Sequence, residues 1–254
     1  MKLYLIGLGP GKWEGLTLEA QRACEECDVL VGYHVYLDLI RSRFPDKPCL
    51  TTAMRQEPER CRMAIREALG GKTVGLVCSG DAGVYGMASL TLTIAQEFPP
   101  IDIVVVPGVT AALSGAALLG APLSHDFAVV SLSDLLTPWD AIERRLTAAA
   151  EADFALCLYN PASHHRPDNL KKACDILLRV KSPETVCGLV RCIGREGESS
   201  RVLALRELRD ADADMFTTVF IGNSLTKNLA GRMVTPRGYR DEMADTSAAG
   251  GSAV

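Results

Sequence analysis

A glycine-rich stretch near the start of the chain, Gly7–Gly11 (GLGPG), has the composition of a ligand-binding turn. It follows the apolar run Lys2–Gly7, which predicts a strand buried on both faces. Glycines at a strand-to-helix turn let backbone N–H groups approach a ligand closely. A dinucleotide fingerprint would need glycine where Lys12 stands, and a phosphate-binding loop would need serine or threonine where Trp13 stands. A tight turn without a ligand remains the alternative for this stretch alone.

Two further loops of the same kind follow later strands. Ser79–Gly86 (SGDAGVYG) comes after the predicted strand Thr73–Cys78, and Pro107–Ala111 (PGVTA) comes after the predicted strand Ile101–Val106. Ligands of open α/β sheets bind outside the carboxyl ends of the strands, where all three loops are expected. Together the loops predict one ligand-binding site.

The elements that position these loops alternate between short apolar runs and helical patterns. A further strand is predicted at Val29–Val31, and Thr17 is the predicted N-cap of a helix that runs from Leu18 to Cys27. Other helices are predicted at Glu59–Leu69, Val84–Glu97 and Ala111–Leu119. This alternation indicates βαβ units and a mostly parallel sheet, so the fold class is α/β.

Gly120 and Pro122 separate the first series of elements from a second one, so we place the boundary between two domains there. The predicted domains are residues 1–120 and 121–240, followed by a disordered Ala, Gly and Ser-rich tail at 241–254. The second series has predicted strands at Phe127–Leu132, Phe154–Tyr159, Val186–Val190 and Thr217–Ile221, and helices at Trp139–Ala150 and Asp168–Val180.

Length and charge exclude several classes of protein. The chain has 254 residues, of which 48% are hydrophobic and 23% charged, so disorder is excluded as the main state and two domains are favoured over one. A formal charge of -4 argues against non-specific nucleic-acid binding but allows a local basic pocket. No apolar run approaches the roughly 18 residues of a membrane span. We expect a cytoplasmic protein.

The nine cysteines are scattered without a disulfide framework, as expected where thiols stay reduced. Cys24 and Cys27 form a C-x-x-C pair, but no second pair stands at zinc spacing. His164 and His165 lie in a polar loop without an acidic or thiol ligand nearby in the sequence. We expect core thiols, a surface loop and no metal site.

The three loops resemble the S-adenosylmethionine (SAM) binding elements of the tetrapyrrole (corrin and porphyrin) methyltransferases, and the resemblance covers about residues 1–240. The stretches HDFAVVSLSDLLTPW, LYNPAS, GREGE and MVTPRGY resemble the branch that methylates C-17 of precorrin-3B and contracts the macrocycle in cobalamin synthesis. One departure is Lys12, where the family usually has Asp or Ser after the first loop.

The resemblance implies a two-domain fold with a mostly parallel N-terminal sheet, a mixed C-terminal sheet and an active-site cleft between the domains. It also implies SAM as co-substrate and a homodimer. The SAM contacts carried over from the family are Pro10, Ser79, Gly80, Asp81, Val84, Thr110, Ala111, Tyr159, Asn160, Gly194 and Thr217. Asp81 is expected to contact the ribose hydroxyls or the amino group of SAM.

Ring contraction removes a proton from a hydroxyl group, so acid and base groups are expected to help. Histidine is the side-chain type suited to proton transfer near neutral pH, so His125 is the first candidate, and Asp126 and Glu196 are further candidates. A purely structural role at a turn remains open for His125 and Asp126. Asp134 is a candidate acid or a loop anchor.

The implied substrate carries acetate and propionate arms, and guanidinium groups bind carboxylates in bidentate fashion. Arg191, Arg195 and Arg237 are therefore the predicted substrate-binding residues, with Arg55 and Arg60 as outer partners. Each arginine taken singly is also consistent with a solvated surface charge.

Two alternatives to C-17 methylation of precorrin-3B remain. One is another precorrin or cobalt-precorrin methyltransferase, including one that acts on the cobalt-containing counterpart. The other is a non-catalytic tetrapyrrole- or nucleotide-binding module, for which Lys12 in the first loop is the supporting feature.

Overall fold

The computed structural model describes residues 2–53 and 55–238. Contacts divide the chain into two units. The first contains the residues up to Leu118 together with Val190–Arg201 and Met215–Thr218, and the second contains the remaining described residues. The predicted boundary after residue 120 assumed two consecutive domains, whereas the chain returns twice to the first unit. The predicted tail at 241–254 lies outside the described residues.

The first unit is built on a five-stranded sheet in the order β3-β2-β4-β1-β5. Its strands are β1 (Lys2–Gly7), β2 (Val29–Gly32), β3 (Cys49–Thr51), β4 (Thr73–Cys78) and β5 (Asp102–Val106). All four neighbouring pairs are parallel. The central strands are almost entirely buried, which accounts for their continuous apolar sequence.

Helices cover both faces of this sheet. They are α1 (Leu18–Glu26), α2 (His34–Asp38), α3 (Glu57–Leu69), α4 (Ala88–Ile94) and α5 (Ala111–Leu119). Leu3 and Leu5 of β1 belong to the core that includes Ile65 of α3, while Tyr4 and Ile6 belong to the core that includes α1. Each fully buried leucine or isoleucine contributes about 1.5–3 kcal/mol.

The register of the central strands determines where the loops emerge. Gly7 of β1 lies opposite Cys78 of β4, and Ile6 lies opposite Val106 of β5. The three strands therefore end at the same level, and the glycine-containing loops leave the sheet at one edge, as predicted.

A second five-stranded sheet has the order β10-β9-β11-β8-β7, and most of its residues belong to the second unit. Its strands are β7 (Phe127–Ser131), β8 (Ala155–Tyr159), β9 (Val186–Arg191), β10 (Ser199–Ala204) and β11 (Thr217–Ile221). β7 and β8 are parallel, whereas β11 and β8 are antiparallel, so the sheet is mixed. The prediction of a mixed second sheet is confirmed.

The second unit also contains α6 (Trp139–Glu151), α7 (Asn169–Leu177) and α8 (Leu205–Leu208). A small third sheet is formed by β6 (Gly120–Ala121), β12 (Lys227–Leu229) and β13 (Arg232–Val234). Residues of α6, α7 and the second sheet share one apolar core.

One predicted helix begins later than expected. The helical pattern Val84–Glu97 predicted a start at Val84, but α4 begins at Ala88. The Asp81 carboxylate accepts the backbone N–H of Val84, and Tyr85 has a left-handed φ of 53°, so this segment forms a turn. The short elements α2, α8, β3, β6, β12 and β13 were not predicted, because runs of so few residues carry little periodicity. β10 was also not predicted, because its first three residues, Ser199–Arg201, are polar and exposed.

Across residues 2–53 and 55–238, no helix combines the length and the apolar character needed to cross a membrane.

Candidate functional site

The loops after β1 and β4 are joined to each other through their backbones. The N–H of Leu8 donates to the carbonyl of Cys78 at 2.8 Å. Gly9 and Gly80 exchange two N–H···O bonds of 2.9 Å each, which form an isolated antiparallel bridge. The loops after β1 and β4 therefore form one continuous backbone surface.

Glycine is required where the three loops meet. A Cβ on Gly7 would lie 2.7 Å from the N atom of Gly108, and a Cβ on Gly108 would lie 2.2 Å from the carbonyl oxygen of Gly80. Gly9 and Gly80 also have left-handed φ values of 66° and 68°. The sequence prediction attributed these glycines to ligand approach, and the structure shows that they also allow loop-to-loop approach.

Asp81 connects the second loop to the third. One carboxylate oxygen accepts the N–H groups of Gly83 at 2.7 Å and Val84 at 3.1 Å. The other accepts the N–H of Gly108 at 3.0 Å. Three backbone donors are thus satisfied by one side chain, which gives Asp81 a structural role in the site in addition to its predicted contact with SAM.

The third loop is fixed on both sides. The Thr17 hydroxyl donates to the carbonyl of Pro107 at 3.1 Å, while its oxygen caps α1 by accepting the N–H of Ala20. At the other end, the carbonyl of Thr110 accepts the N–H and the hydroxyl of Ser114, as α5 begins at Ala111. The N-terminal end of a helix carries a partial positive charge, which favours a negatively charged or polar ligand group.

A fourth segment, Cys192–Glu198, contacts the first loop. A Cβ on Gly194 would lie 3.1 Å from the carbonyl carbon of Pro10, and a Cβ on Gly11 would lie 2.8 Å from Cγ of Arg195. The guanidinium of Arg195 donates to the Ser79 hydroxyl at 2.9 Å. The structure therefore brings Gly194 and Arg195 to the same edge as the three loops, although they are far from all three in sequence.

Not every predicted SAM contact is on this edge surface. Val84 is 37% exposed beside it, and Thr217 is a buried residue of β11 in the first unit. Tyr159 and Asn160 lie at the end of β8 in the second unit. Asn160 has a left-handed φ of 53° and donates to the Ser131 hydroxyl at 2.9 Å, so it links the ends of β7 and β8.

The acid and base candidates are exposed side chains. The side chains of His125 and Asp126 are 46% and 75% exposed, and the N–H of Asp126 donates to Nδ1 of His125 at 2.9 Å. Nδ1 is thus the acceptor nitrogen, so Nε2 of the neutral imidazole carries the proton and can donate to an external group. Glu196 is exposed in the first unit. Their roles in proton transfer stay predictions.

Asp134 has a partner that favours the loop-anchor interpretation. Its carboxylate lies 3.4 Å from the guanidinium of Arg166, which also donates to the Ser133 hydroxyl at 2.8 Å. Asn169 donates to the carbonyl of Leu132 at 2.8 Å. These bonds hold the start of the segment that contains Leu135 and Leu136, both of which are exposed.

The arginines have different environments. Arg191 and Arg237 are exposed, and Arg55 is exposed with a left-handed φ of 66°. Arg60 is only 3% exposed, which excludes a solvated surface charge at this position, and its role as an outer partner of the substrate stays a prediction. It faces inward from α3 and donates to the carbonyl of Ala53 at 3.1 Å.

The thiol pair is part of the core. Cys24 and Cys27 are buried, and burial raises the pKa of each thiol to about 12. Both groups therefore stay protonated at neutral pH. His164 and His165 are exposed, and their ring centroids lie 5.0 Å apart at an interplanar angle of 81°.

Sequence reasoning missed the aromatic residues of this edge. Tyr33 and Tyr36 follow β2, and Phe216 precedes β11, with Tyr36 and Phe216 next to Arg195. The signal that was present is the YHVY sequence directly after a buried strand. Aromatic residues at a strand end are exposed to a ligand or form core, and sequence alone does not distinguish the two.

Comparisons with known proteins agree with the geometry. The model of the family Tetrapyrrole (Corrin/Porphyrin) Methylases matches residues 2–209. The chain is 44% identical over 238 residues to a Salmonella typhimurium (strain LT2) protein named "Probable cobalt-factor III C(17)-methyltransferase", covering 93% of this chain and 99% of the other. It is 42% identical over 244 residues to the "Cobalt-factor III methyltransferase" of Priestia megaterium, covering 94% of this chain and 45% of the other.

A solved structure has the same fold. The crystal structure of the methyltransferase CobJ superposes with a TM-score of 0.84 and 35% sequence identity, covering 92% of this chain and 99% of that chain.

Proposed function

The chain belongs to the tetrapyrrole (corrin and porphyrin) methylase family, and from that membership we propose that it transfers the methyl group of SAM to C-17 of a corrin precursor and contracts the macrocycle, a step of cobalamin synthesis. The observation that carries the proposal is the shared edge formed by the loops after β1, β4 and β5. Their reciprocal backbone bonds and the Asp81 bridge give a fixed surface of N–H and C=O groups.

We propose that this surface binds SAM. The proposed contacts in the first unit are Pro10, Ser79, Gly80, Asp81, Val84, Thr110, Ala111, Gly194 and Thr217, while Tyr159 and Asn160 of the second unit stay predictions from the family resemblance. The amino-acid and ribose portions of SAM offer several hydrogen-bond donors and acceptors, which suits a backbone surface. Lys12 is exposed beside the first loop, so it leaves the backbone geometry intact.

The methyl transfer is an in-line displacement in which the C–S bond of the sulfonium breaks as the new C–C bond forms. This reaction depends on the alignment of donor and acceptor, and orientation supplies roughly 7–11 kcal/mol in favourable cases. Backbone loops locked to one another are suited to this task because they resist displacement. No strong base is needed for the bond exchange itself.

The contraction step needs a proton acceptor. The hydroxyl at C-20 loses a proton as that carbon leaves the ring and is retained as an acetyl group. We propose His125 as the group that accepts or relays the proton, with Asp126 and Glu196 as further acid–base groups. In the neutral imidazole Nε2 carries a proton that it can donate, and His125 accepts a proton at Nδ1 once the bond from the Asp126 N–H opens.

The substrate is either a cobalt-containing macrocycle or a metal-free one. The names of the Salmonella and Priestia relatives both specify cobalt-factor III, which favours a cobalt-containing macrocycle as the substrate. The sequence resemblance to precorrin-3B methyltransferases favours the metal-free macrocycle. We place the cobalt-containing substrate first, since the relatives cover nearly the whole of this chain.

We further propose that Arg191, Arg195 and Arg237 bind carboxylate arms of the substrate. Among them Arg195 has the strongest support, because its guanidinium lies at the edge where the methyl donor is proposed to bind. Arg191 and Arg237 are exposed.

A homodimer is proposed from exposed apolar residues on the first unit. β5 is the edge strand of the first sheet, and its Val105 is 43% exposed. Leu113 and Leu118 of the following helix are 53% and 39% exposed. A second copy of the chain that covers these residues would remove them from water. Sedimentation of the wild type and of Leu113→Glu tests this: the dimer is expected only for the wild type.

A cytoplasmic location is also proposed. All nine cysteines are free, and seven of them are buried. Unpaired cysteines in this number are typical of a reducing compartment.

Calorimetry with S-adenosylhomocysteine (SAH), the demethylated product of SAM, tests the proposal first. Binding is expected, and its absence would contradict the enzyme proposal. A non-catalytic module that keeps the fold would bind SAH or the macrocycle but would transfer no methyl group to either substrate. Turnover therefore separates the enzyme from a binding module.

A further inference from the structure

Two arginine side chains at the carboxyl edge of the first sheet have no acidic partner among the described residues. Arg60 donates to the carbonyls of Ala53 and Thr52 at 3.1 and 3.4 Å and to the Met87 sulfur at 3.7 Å. Its buried Nε has no hydrogen-bond partner. Among residues 2–53 and 55–238, the guanidinium of Arg195 donates to the Ser79 hydroxyl alone. Both guanidinium groups lie at the edge that also holds the Asp81 carboxylate, which accepts backbone N–H groups and pairs with neither arginine.

Aromatic rings lie between the two guanidinium groups. Cζ of Arg60 lies 5.7 Å from the ring centroid of Tyr33, and the rings of Tyr33 and Tyr36 meet edge to face with centroids 5.5 Å apart. Cζ of Arg195 lies 5.9 Å from the ring of Tyr36 and 5.8 Å from the ring of Phe216. All three cation–ring distances are within the range of attraction between a cation and an aromatic face.

The side chain of Arg195 is held along its length. Its backbone N–H donates to the carbonyl of Cys192 at 2.9 Å, and its Cγ lies against Gly11. At its tip, the guanidinium donates to the Ser79 hydroxyl and lies near the rings of Tyr36 and Phe216. Aromatic faces hold a guanidinium without using its N–H groups, so the donors other than the one on Ser79 are left for a further acceptor.

The charge of Arg195 also reaches the Tyr36 hydroxyl. Burial raises the pKa of that hydroxyl, and the positive charge of Arg195 offsets part of the effect. The pKa of Tyr36 remains above its ordinary value, so the ring is neutral at physiological pH and keeps the electron-rich face that attracts a cation.

We propose that Tyr36 is a positioning residue for Arg195, whose unpaired N–H groups it directs at a carboxylate of a bound small molecule. The inference rests on the proposed function and adds to it the residue that orients the guanidinium. Two carboxylates are available in the proposed reaction: an acetate or propionate arm of the substrate and the amino-acid carboxylate of SAM. A planar, immobilised guanidinium matches either one through two parallel hydrogen bonds.

The test compares Tyr36→Leu, which removes the aromatic face, with Tyr36→Phe, which keeps it. SAH binding is measured by calorimetry, and binding of a metal-free octacarboxylate porphyrin by fluorescence quenching. Tyr36→Leu is expected to lower the affinity for one of the two ligands roughly three- to thirtyfold. Tyr36→Phe is expected to bind both ligands as the wild type does. If only the affinity for the porphyrin falls, the carboxylate that Arg195 binds belongs to the substrate. If only the affinity for SAH falls, that carboxylate belongs to the methyl donor.

A double-mutant cycle with Arg195→Met distinguishes positioning from a general structural effect. If Tyr36 acts through Arg195, Tyr36→Leu has no further effect on affinity in the Arg195→Met background. Additive losses, or equal losses in Tyr36→Phe and Tyr36→Leu, would overturn the inference.

The same measurements separate this inference from the proposed function. If the wild type binds both probes and neither weakens in Tyr36→Leu, the positioning role is wrong while the function stands. If the wild type binds neither probe, both are wrong.

Discussion

The carboxylate of Asp81 accepts the backbone N–H of Gly108 at 3.0 Å, and this bond joins the loop after β4 to the loop after β5. The same side chain also closes the turn at Gly83 and Val84. A carboxylate that accepts three backbone donors has a structural task even before any ligand binds.

Asp81→Ala is therefore expected to weaken SAH binding by roughly tenfold or more, because a loss of about 1.4 kcal/mol corresponds to tenfold. Three backbone N–H groups lose their acceptor, and the second and third loops are no longer tied together. Calorimetry measures the affinity. The matched control is Asp81→Asn, which keeps one acceptor oxygen and is expected to lose less. Wild-type affinity in Asp81→Ala would show that the loops hold their positions without this side chain.

Gly108→Ala is expected to destabilise the fold and abolish SAH binding. Its Cβ would lie 2.2 Å from the carbonyl oxygen of Gly80, so the loops must move apart. Overpacking of this kind costs about 1–3 kcal/mol. Gly83→Ala is the control, because the nearest atom to its Cβ is a carboxylate oxygen of Asp81 at 3.2 Å. Equal melting temperatures and equal SAH affinities for the two variants would argue against the close approach of the loops.

The fold was predictable where the sequence is periodic and apolar. β1, β4 and the capping of α1 by Thr17 follow from buried runs and a known cap residue, and all three are confirmed. The start of α4 was predicted four residues early, because the sequence pattern does not reveal that Asp81 takes the N–H of Val84. A side chain that competes for backbone donors overrides helical periodicity.

The site was predictable only in part, for a similar reason. Glycines after strands locate the three loops, since parallel strands end at one edge. Arg195 was predicted to bind a carboxylate of the substrate. Its neighbours Tyr36 and Phe216 were not predicted, because no sequence motif places them next to Arg195. Arg60 was misplaced at the surface because a charged residue in a helical pattern gives no sign of burial when its partners are backbone carbonyls.

The Asp153 cluster in the second unit predicts a loss of stability in acid. Burial raises the pKa of Asp153, but hydrogen bonds from Ser224 and the charge and hydrogen bond of Lys181 outweigh burial and hold that pKa below its ordinary value. The stability that this carboxylate contributes is present above the pKa of the unfolded state, about 3.9, and is lost as the pH falls through the lower pKa of the folded state.

Thermal denaturation between neutral and acidic pH checks this prediction. In Asp153→Asn the melting temperature should depend less on pH below about 4 than in the wild type, because the titrating group is gone. Arg144 pairs with Asp140 on the surface, so Asp140→Asn serves as the exposed control. Parallel curves for the wild type and Asp153→Asn would contradict the role of the cluster.

His125→Ala is expected to methylate the macrocycle without contracting it. The exposed imidazole is the proposed proton-transfer group, whereas methyl transfer requires only alignment. The carbon that leaves the ring is retained as an acetyl group, so mass alone does not distinguish the products; visible absorption and NMR do. His164→Ala, which removes an exposed histidine outside the proposed site, is the matched control and is expected to contract the ring as the wild type does. Full contraction by His125→Ala would assign the proton transfer to another group.

Methyl transfer from SAM with a deuterated methyl group is the most direct test of the central claim. The purified chain is incubated with cobalt-loaded and metal-free macrocycle in parallel, and the products are analysed by mass spectrometry and NMR. The account predicts one labelled methyl group at C-17 of a contracted ring, with the cobalt-containing substrate converted faster. SAH binding without label on either macrocycle would contradict it.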